Sequence, residues 1–344
     1  MPAPFPSPLP KLLVDDPNLA AALATALVET NTVFASALPR QFAVSIVAAT
    51  GASLTFAHAG LREHEVHYSA SLLKLAAMYA AFELRNAANV FASPPPLDAL
   101  ERLGATFKDD IDAAVPRITT TPGFLPPAPQ PNYRSVFATL PRLDGGVAFE
   151  FSAAFSTAMR EMIVMSNNAA AASVIKGLGY SWINGVLSHA GLFAEATLNG
   201  IWLAGTFDSS IPYIRIPSVN DGMVAQATTC FEMANLLANI FTGNAVGIEA
   251  QPKMLQLLLD AQIEEASWIS FRKSRLPGLC FDVTHTKIGI GPLKTGADVL
   301  SEASILRIPA TGDLFIVAMQ NCALRDQQAM AFLVDRTIRN FLGI

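Results

Sequence analysis

Charge is scarce in this chain. Only 15% of its 344 residues are Asp, Glu, Lys or Arg, against about 25% in an ordinary soluble domain. The net charge is −5 and there is no Lys/Arg run, which excludes the usual electrostatic footprint of a nucleic-acid binder. With 51% hydrophobic residues, the balance implies a large buried interior and leaves apolar surface for a homo-oligomer. Long apolar runs are also missing. None approaches the roughly 18 residues that a membrane span needs, and the densest, Leu72 to Phe82, is cut by Lys74. Three cysteines, Cys230, Cys280 and Cys322, are an odd number without metal-ligand spacing, so buried free thiols are expected. Five histidines form no H-E-x-x-H or similar pair; no metal and no cofactor are implied. The opening MPAPFPSPLPK has no basic stretch followed by an apolar one, so a cytoplasmic protein is expected.

Periodicity then divides the chain. Residues 17–31 pattern as an amphipathic helix capped near Asp16. Residues 42–50 and 53–60 read as strands joined by a tight turn at Gly51. Ser71 to Arg85 is apolar nearly all round, as a central core helix is. Residues 92–145 carry ten prolines and read as an irregular excursion with short helices, such as 97–104. Helical patterns resume at 150–165, 168–178 and 181–190. A Gly- and Pro-punctuated loop follows at 191–227, then helices at 229–242 and 251–260. Strands are expected at 281–290, 301–308 and 313–321, with a closing helix at 325–341. Strands at both ends and helices between them predict an α/β (α+β) fold: one antiparallel sheet flanked by the terminal helices, with an all-helical part inserted. The expected division is 1–70 plus 266–344 for the sheet part, and 71–265 for the helical part.

Three short motifs carry chemistry. Ser71-Leu72-Leu73-Lys74 places a hydroxyl and an amine on one helix face. Desolvation there favours the neutral amine, able to take the serine proton, and a helix start offers backbone N–H groups to an oxyanion. Alone, such a pair arises about once by chance in a chain this long. The second motif is Ser166-Asn167-Asn168 between two helices. Its hydroxyl can relay a proton to a leaving group, and the Asn168 amide can hold the lysine and a substrate amide. The third is a lysine and a glycine on a strand: the cation anchors substrate, and the glycine lets substrate lie along the strand edge.

In that order, Ser-x-x-Lys, Ser-x-Asn and Lys-Thr/Ser-Gly resemble the signature of the serine β-lactamase and penicillin-binding protein superfamily. The likeness extends beyond the motifs. YSASLLKLAAMYAAF resembles the nucleophile helix, SNNAAAASVIKGLGYSWINGVLSHAGL the segment after the second motif, TTCFEMANLLANIF the helix after the omega loop, and RLPGLCFDVTHTKIG the lead into the lysine strand. The resemblance implies a class A β-lactamase-like hydrolase with Ser71 as nucleophile, Lys74 as base, Ser166 as proton relay, Lys287 as strand lysine and Asn168 as a substrate ligand. Three departures matter. Asn167 stands where the family has Asp. A literal Lys294-Thr295-Gly296 competes with Lys287-Ile288-Gly289, but Gly291-Pro292 precedes it, so Lys287 is preferred; Ile288, Gly289 and Ile290 then line the substrate and Ile290 N–H completes the oxyanion hole. Glu195 fits the family's E-x-x-L-N pattern for a deacylating base, although it follows Gly191 by only four residues. His285 alternates with Lys287 on the same strand face. The expected partner is a small-molecule substrate, an amide, ester or lactam. A true β-lactamase, a serine glutaminase-like enzyme and a non-catalytic ligand-binding relative are the alternatives.

Overall fold

The computed structural model describes residues 4–35, 38, 41–49, 55–91, 98–116, 130–143, 145–205, 207, 214–222, 227–264 and 276–344. The expected Gly51 turn lies outside these residues. From the N-terminus, β1 (Leu13–Asp15) leads into α1 (Pro17–Val33). Asp16 Oδ1 accepts the backbone N–H groups of Asn18 and Leu19 at 2.9 and 2.8 Å, and Pro17 occupies the first helical position, where its missing N–H costs nothing. Then come β2 (Ala43–Ala48), β3 (Phe56–Leu61) and β4 (His67–Tyr68). A 3-10 turn, Ala70–Leu73, feeds α2 (Lys74–Phe91).

The proline-rich stretch holds more regular structure than its composition suggests. It contains α3 (Ala99–Ala114), the short α4 (Tyr133–Val136), and a hairpin of β5 (Phe137–Pro141) and β6 (Val147–Phe151). The hairpin corrects two expectations: Glu150 and Phe151, expected to open a helix, end a strand, and the inserted part is not all-helical. Pro141 is accepted there because it ends an exposed edge strand. Next are α5 (Ala153–Val164), α6 (Asn168–Leu178) and α7 (Tyr180–His189), the two-residue pair β7 (Phe193–Ala194) and β8 (Asn199–Gly200), then β9 (Ala227–Thr228). The chain closes with α8 (Cys230–Thr242), α9 (Gln251–Glu264), β10 (Asp282–Pro292), β11 (Asp298–Arg307), β12 (Leu314–Ala323) and α10 (Gln327–Leu342).

The six-stranded sheet runs in the order β1-β3-β2-β12-β11-β10. All its pairings are antiparallel except β1 with β3, which makes it a mixed sheet. Strands β2 and β12 are buried along nearly their whole length, as strands covered on both faces must be. One face, with Val44, Ile46, Ile288, Leu300 and Val317, packs under α1 and α10. The other, with Ala43, Val47, Ala303, Ile305 and Ala318, packs under the helices inserted between the two ends. At the centre of that helical layer lies α2, buried on nearly all sides. Trp182 of α7 donates its indole N–H to the Ala80 carbonyl of α2 at 2.8 Å. The thiols of Cys230 and Cys322 are buried, that of Cys280 is half-buried, and all three are free. Among the described residues, no helix is long and apolar enough to cross a membrane.

Candidate active site

Ser71 sits in the 3-10 turn just ahead of α2, not inside the helix. The residue before it, Ala70, has φ 48°, a left-handed conformation that costs an L-residue on the order of 1 kcal/mol or more. The turn is braced by Leu72 N–H donating to Ser69 O at 3.1 Å. It also faces β10 at very short range. A Cβ built on Gly289 would lie 2.3 Å from Ser69 O, 2.6 Å from Leu72 N and 2.9 Å from Ser71 N. Only glycine lets the strand backbone approach the nucleophile turn this closely.

Lys74, the first residue of α2, is fully buried. Its Nζ donates to the Ser166 carbonyl at 2.5 Å and to Asn168 Oδ1 at 2.8 Å, stands 3.5 Å from Ser166 Oγ, and lies 4.8 Å from the centre of the Phe207 ring. Ser166 occupies the break between α5 and α6 with φ 53°. That strained turn is held because Met165 and Asn167 N–H both reach Glu161 O, at 3.2 and 3.1 Å, and because Lys74 grips the Ser166 carbonyl. Asn167 caps α6, its side chain accepting Ala170 N–H at 3.0 Å. An N-cap is a task that Asp and Asn perform equally well.

The strand lysine closes the ring. Lys287 is fully buried and donates to Ser166 Oγ at 2.9 Å. Two lysines from different elements therefore meet at one serine, Lys74 at its carbonyl and Lys287 at its hydroxyl. Alternation along β10 puts Lys287 and Gly289 on this face, while Ile288 packs into the layer under the terminal helices with Ile290 partly buried against it. The side chain of Ile288 is thus withdrawn from the site, and what Ile288 and Ile290 offer a substrate is backbone. The strand ends at Pro292, two residues beyond the expected end at Ile290. Lys294 lies beyond it in the β10–β11 turn and pairs with Asp221 at 2.7 Å, away from Ser166.

Glu195 is exposed and opens a 3-10 turn between β7 and β8, where Asn199 Nδ2 donates to His64 O at 2.9 Å. His285 is half-buried and shares a hydrogen bond with Thr284 Oγ1 at 2.9 Å; burial lowers its pKa. Tyr68 is core rather than pocket lining, at 1% exposure. Trp202 is buried as well and donates its indole N–H to Ile214 O at 2.7 Å.

Phe207 is a contact of Lys74 that no sequence motif announces. Its loop leaves at Trp202 and returns at Ala227, closed by Trp202 N–H to Ala227 O (2.9 Å) and Ala227 N–H to Trp202 O (3.0 Å). Asn184 of α7 fixes the outgoing segment, donating to Leu203 O at 3.0 Å and accepting Leu203 N–H at 3.1 Å.

Residues 146–334, more than half of the chain, match the family model described as the beta-lactamase enzyme family. The chain belongs to the beta-lactamase enzyme family. Within the matched residues of this family member lie Ser166, Asn168 and Lys287; Ser71 and Lys74 precede them. Solved structures share the fold at low identity. A beta-lactamase from Sphaerobacter thermophilus is 16% identical with a TM-score of 0.52, over 94% of this chain and 98% of its own. The extended-spectrum beta-lactamase TLA-3 is 12% identical with a TM-score of 0.54, over 94% and 99%. A PBP-A variant, solved as an acyl-enzyme complex with penicillin G, is 14% identical with a TM-score of 0.52, over 98% and 100%. No curated protein matches the chain.

Proposed function

We propose that this member of the beta-lactamase family is a serine hydrolase that forms an acyl-enzyme through Ser71 on a small amide, ester or lactam. The observation that carries the reading is the meeting of two fully buried lysines, Lys74 and Lys287, at Ser166, with Gly289 pressed against the Ser71 turn. Burying two ammonium groups costs several kcal/mol each unless partners compensate. A core that only needed stability is better served by apolar residues at both positions.

The family resemblance supplies the steps for these residues. In its neutral form the Lys74 amine takes the proton of Ser71 as Oγ attacks the substrate carbonyl. The backbone N–H groups of Ser71 and Ile290 face the developing oxyanion. Ser166 Oγ, held by the Lys287 cation, hands a proton to the leaving nitrogen or oxygen and is reprotonated from Lys74. Asn168 keeps Lys74 in place and offers its amide N–H to the substrate. Water then attacks the acyl carbonyl and frees Ser71, with Lys74 or Glu195 as candidate bases. The family description favours a β-lactam as substrate. Ile288 argues for other substrates too, since it removes the hydroxyl that follows the strand lysine in the family motif.

The test is intact mass after exposure to a fluorophosphonate and, separately, to penicillin G. A single adduct on the wild type and none on Ser71→Ala is expected. A penicillin adduct that decays within seconds identifies a β-lactamase; one that persists identifies an acylating enzyme built for another substrate. No adduct from either reagent would replace the enzyme reading with a ligand-binding one.

A further inference from the structure

The literal Lys294-Thr295-Gly296 has no part in the chemistry above, yet it is tied to the site. Lys294 Nζ donates to Asp221 Oδ2 at 2.7 Å, and Lys294 N–H donates to Asp221 O at 2.8 Å. Asp221 Oδ1 also accepts Gly222 N–H at 2.9 Å and an Arg215 guanidinium N–H. Gly222 forms a backbone bridge with Leu293.

Residues 219–222 are stitched to the nucleophile side as firmly as to β10. Val219 N–H donates to Val66 O at 2.8 Å. Asn220 Oδ1 accepts Tyr68 N–H at 2.8 Å, and Asn220 Nδ2 donates to Asn321 Oδ1 at 2.8 Å. Tyr68 is the shared piece. A Cβ on Gly222 would lie 2.3 Å from its ring, and a Cβ on Gly291 would lie 2.5 Å from its hydroxyl. The ring is thus a wedge between the loop and β10. Tyr68 stands three residues before Ser71, and Gly291 one residue after Ile290.

We infer that Asp221, through Lys294 and Arg215, clamps the 219–222 segment and so sets the separation of the Ser71 and Ile290 N–H groups, which makes all three positioning residues for acylation. The inference rests on the serine-hydrolase reading for its kinetic consequence. Its geometric content does not. The ion pairs are partly exposed, with Lys294 at 55% and Asp221 at 26%. As contributions to stability they are minor. Their effect is on placement, to which acyl transfer is far more sensitive.

The experiment compares the full-length wild type with Asp221→Asn, Lys294→Met and the double variant. Fluorophosphonate labelling over a range of concentrations separates the limiting rate from the half-saturating concentration. Each single variant should lose roughly three- to tenfold in limiting rate with half-saturation within about twofold. The double variant should be no worse than the poorer single, because both break one clamp. Hydrogen–deuterium exchange should speed up in peptides covering 68–73 and 288–292 in all three. Unchanged limiting rates, additive losses, or a shift in half-saturation alone would each overturn the clamp. So would wild-type exchange in both peptides with only a lowered melting temperature. If the wild type itself does not label, the serine-hydrolase reading fails, and exchange still decides the clamp.

Discussion

Helix α2 carries two buried charged side chains with opposite fates. Lys74, at its start, is enclosed by the Ser166 carbonyl, Asn168 Oδ1 and the Phe207 ring. Glu83, nine residues on and roughly 13 Å along the axis, is 4% exposed. Burial pushes its pKa up to about 7, and Tyr79, the Val246 backbone and Asn86 offset this only in part. One end of the helix gathers partners from outside the helix around an amine. The other leaves a carboxyl that keeps its proton up to neutral pH. A candidate site and a structural compromise thus sit on one element, and what separates them is which residues surround the group, the Ser166-Asn168 motif at one end and Tyr79, Asn86 and the Val246 backbone at the other.

The sharpest way to break this contrast is Lys74→Ala. If the partners around Lys74 exist to hold a base, fluorophosphonate labelling of Ser71 should slow by about 10² to 10⁴-fold, with the far-ultraviolet circular dichroism unchanged. A loss of fold with no intact protein to assay would instead make Lys74 a structural cation. Next in size is Gly289→Ala. The added methyl would meet three backbone atoms of the nucleophile turn, all under 3 Å, so the turn must shift. About 10²-fold slower labelling is expected, the scale of a displacement near 1 Å; wild-type labelling would mean that the turn and β10 move freely past one another. Smaller again is the comparison of Lys287→Ala with Lys294→Ala. The first removes a direct partner of Ser166 Oγ and the second only a turn contact, so the first should cost about tenfold more in labelling rate. The reverse order would exchange the two lysines' roles.

How much of this was legible in the sequence depends on the range of the contact. Ser71–Lys74 and Ser166–Asn168 are separated by two or three residues, so their spacing marks them as candidates. Lys287 and Lys294 are told apart by local signals: β10 ends at Pro292, two residues later than the pattern suggests, which leaves Lys287 in the strand and Lys294 in the turn after it. Strand β1 is three residues long, too short to leave a period, and its parallel pairing with β3 made the sheet mixed. The β5–β6 hairpin was hidden by proline composition. Phe207 could not be foreseen at all. Its position over Lys74 depends on Asn184 holding Leu203 and on the Trp202–Ala227 closure, contacts that no local pattern encodes. The tight fit of Gly289 is of the same kind: the sequence supplies a glycine, and only the packed turn shows what it makes room for.

The smallest effect on activity, and the one that tests the other end of α2, is Glu83→Gln. The sign follows from linkage. A carboxyl whose folded pKa is raised, from 4.5 to about 7, favours folding most below pH 4.5, where both states are protonated. Stability then falls as pH rises through 7, because only the unfolded state ionises freely. The full loss is on the order of 3 kcal/mol. Glu232 of α8, also raised to about 7 by burial, adds a second loss over the same range. Glu83→Gln removes one of the two. Urea melts should find the variant close to wild type at pH 4.5 and more stable at pH 8, with a shallower pH dependence between them. Labelling of Ser71 should stay within about twofold, because nothing described around the site touches Glu83. A variant less stable than wild type at pH 8 would mean that the Glu83 carboxylate is held by partners as Lys74 is, and the contrast between the two ends of the helix would disappear.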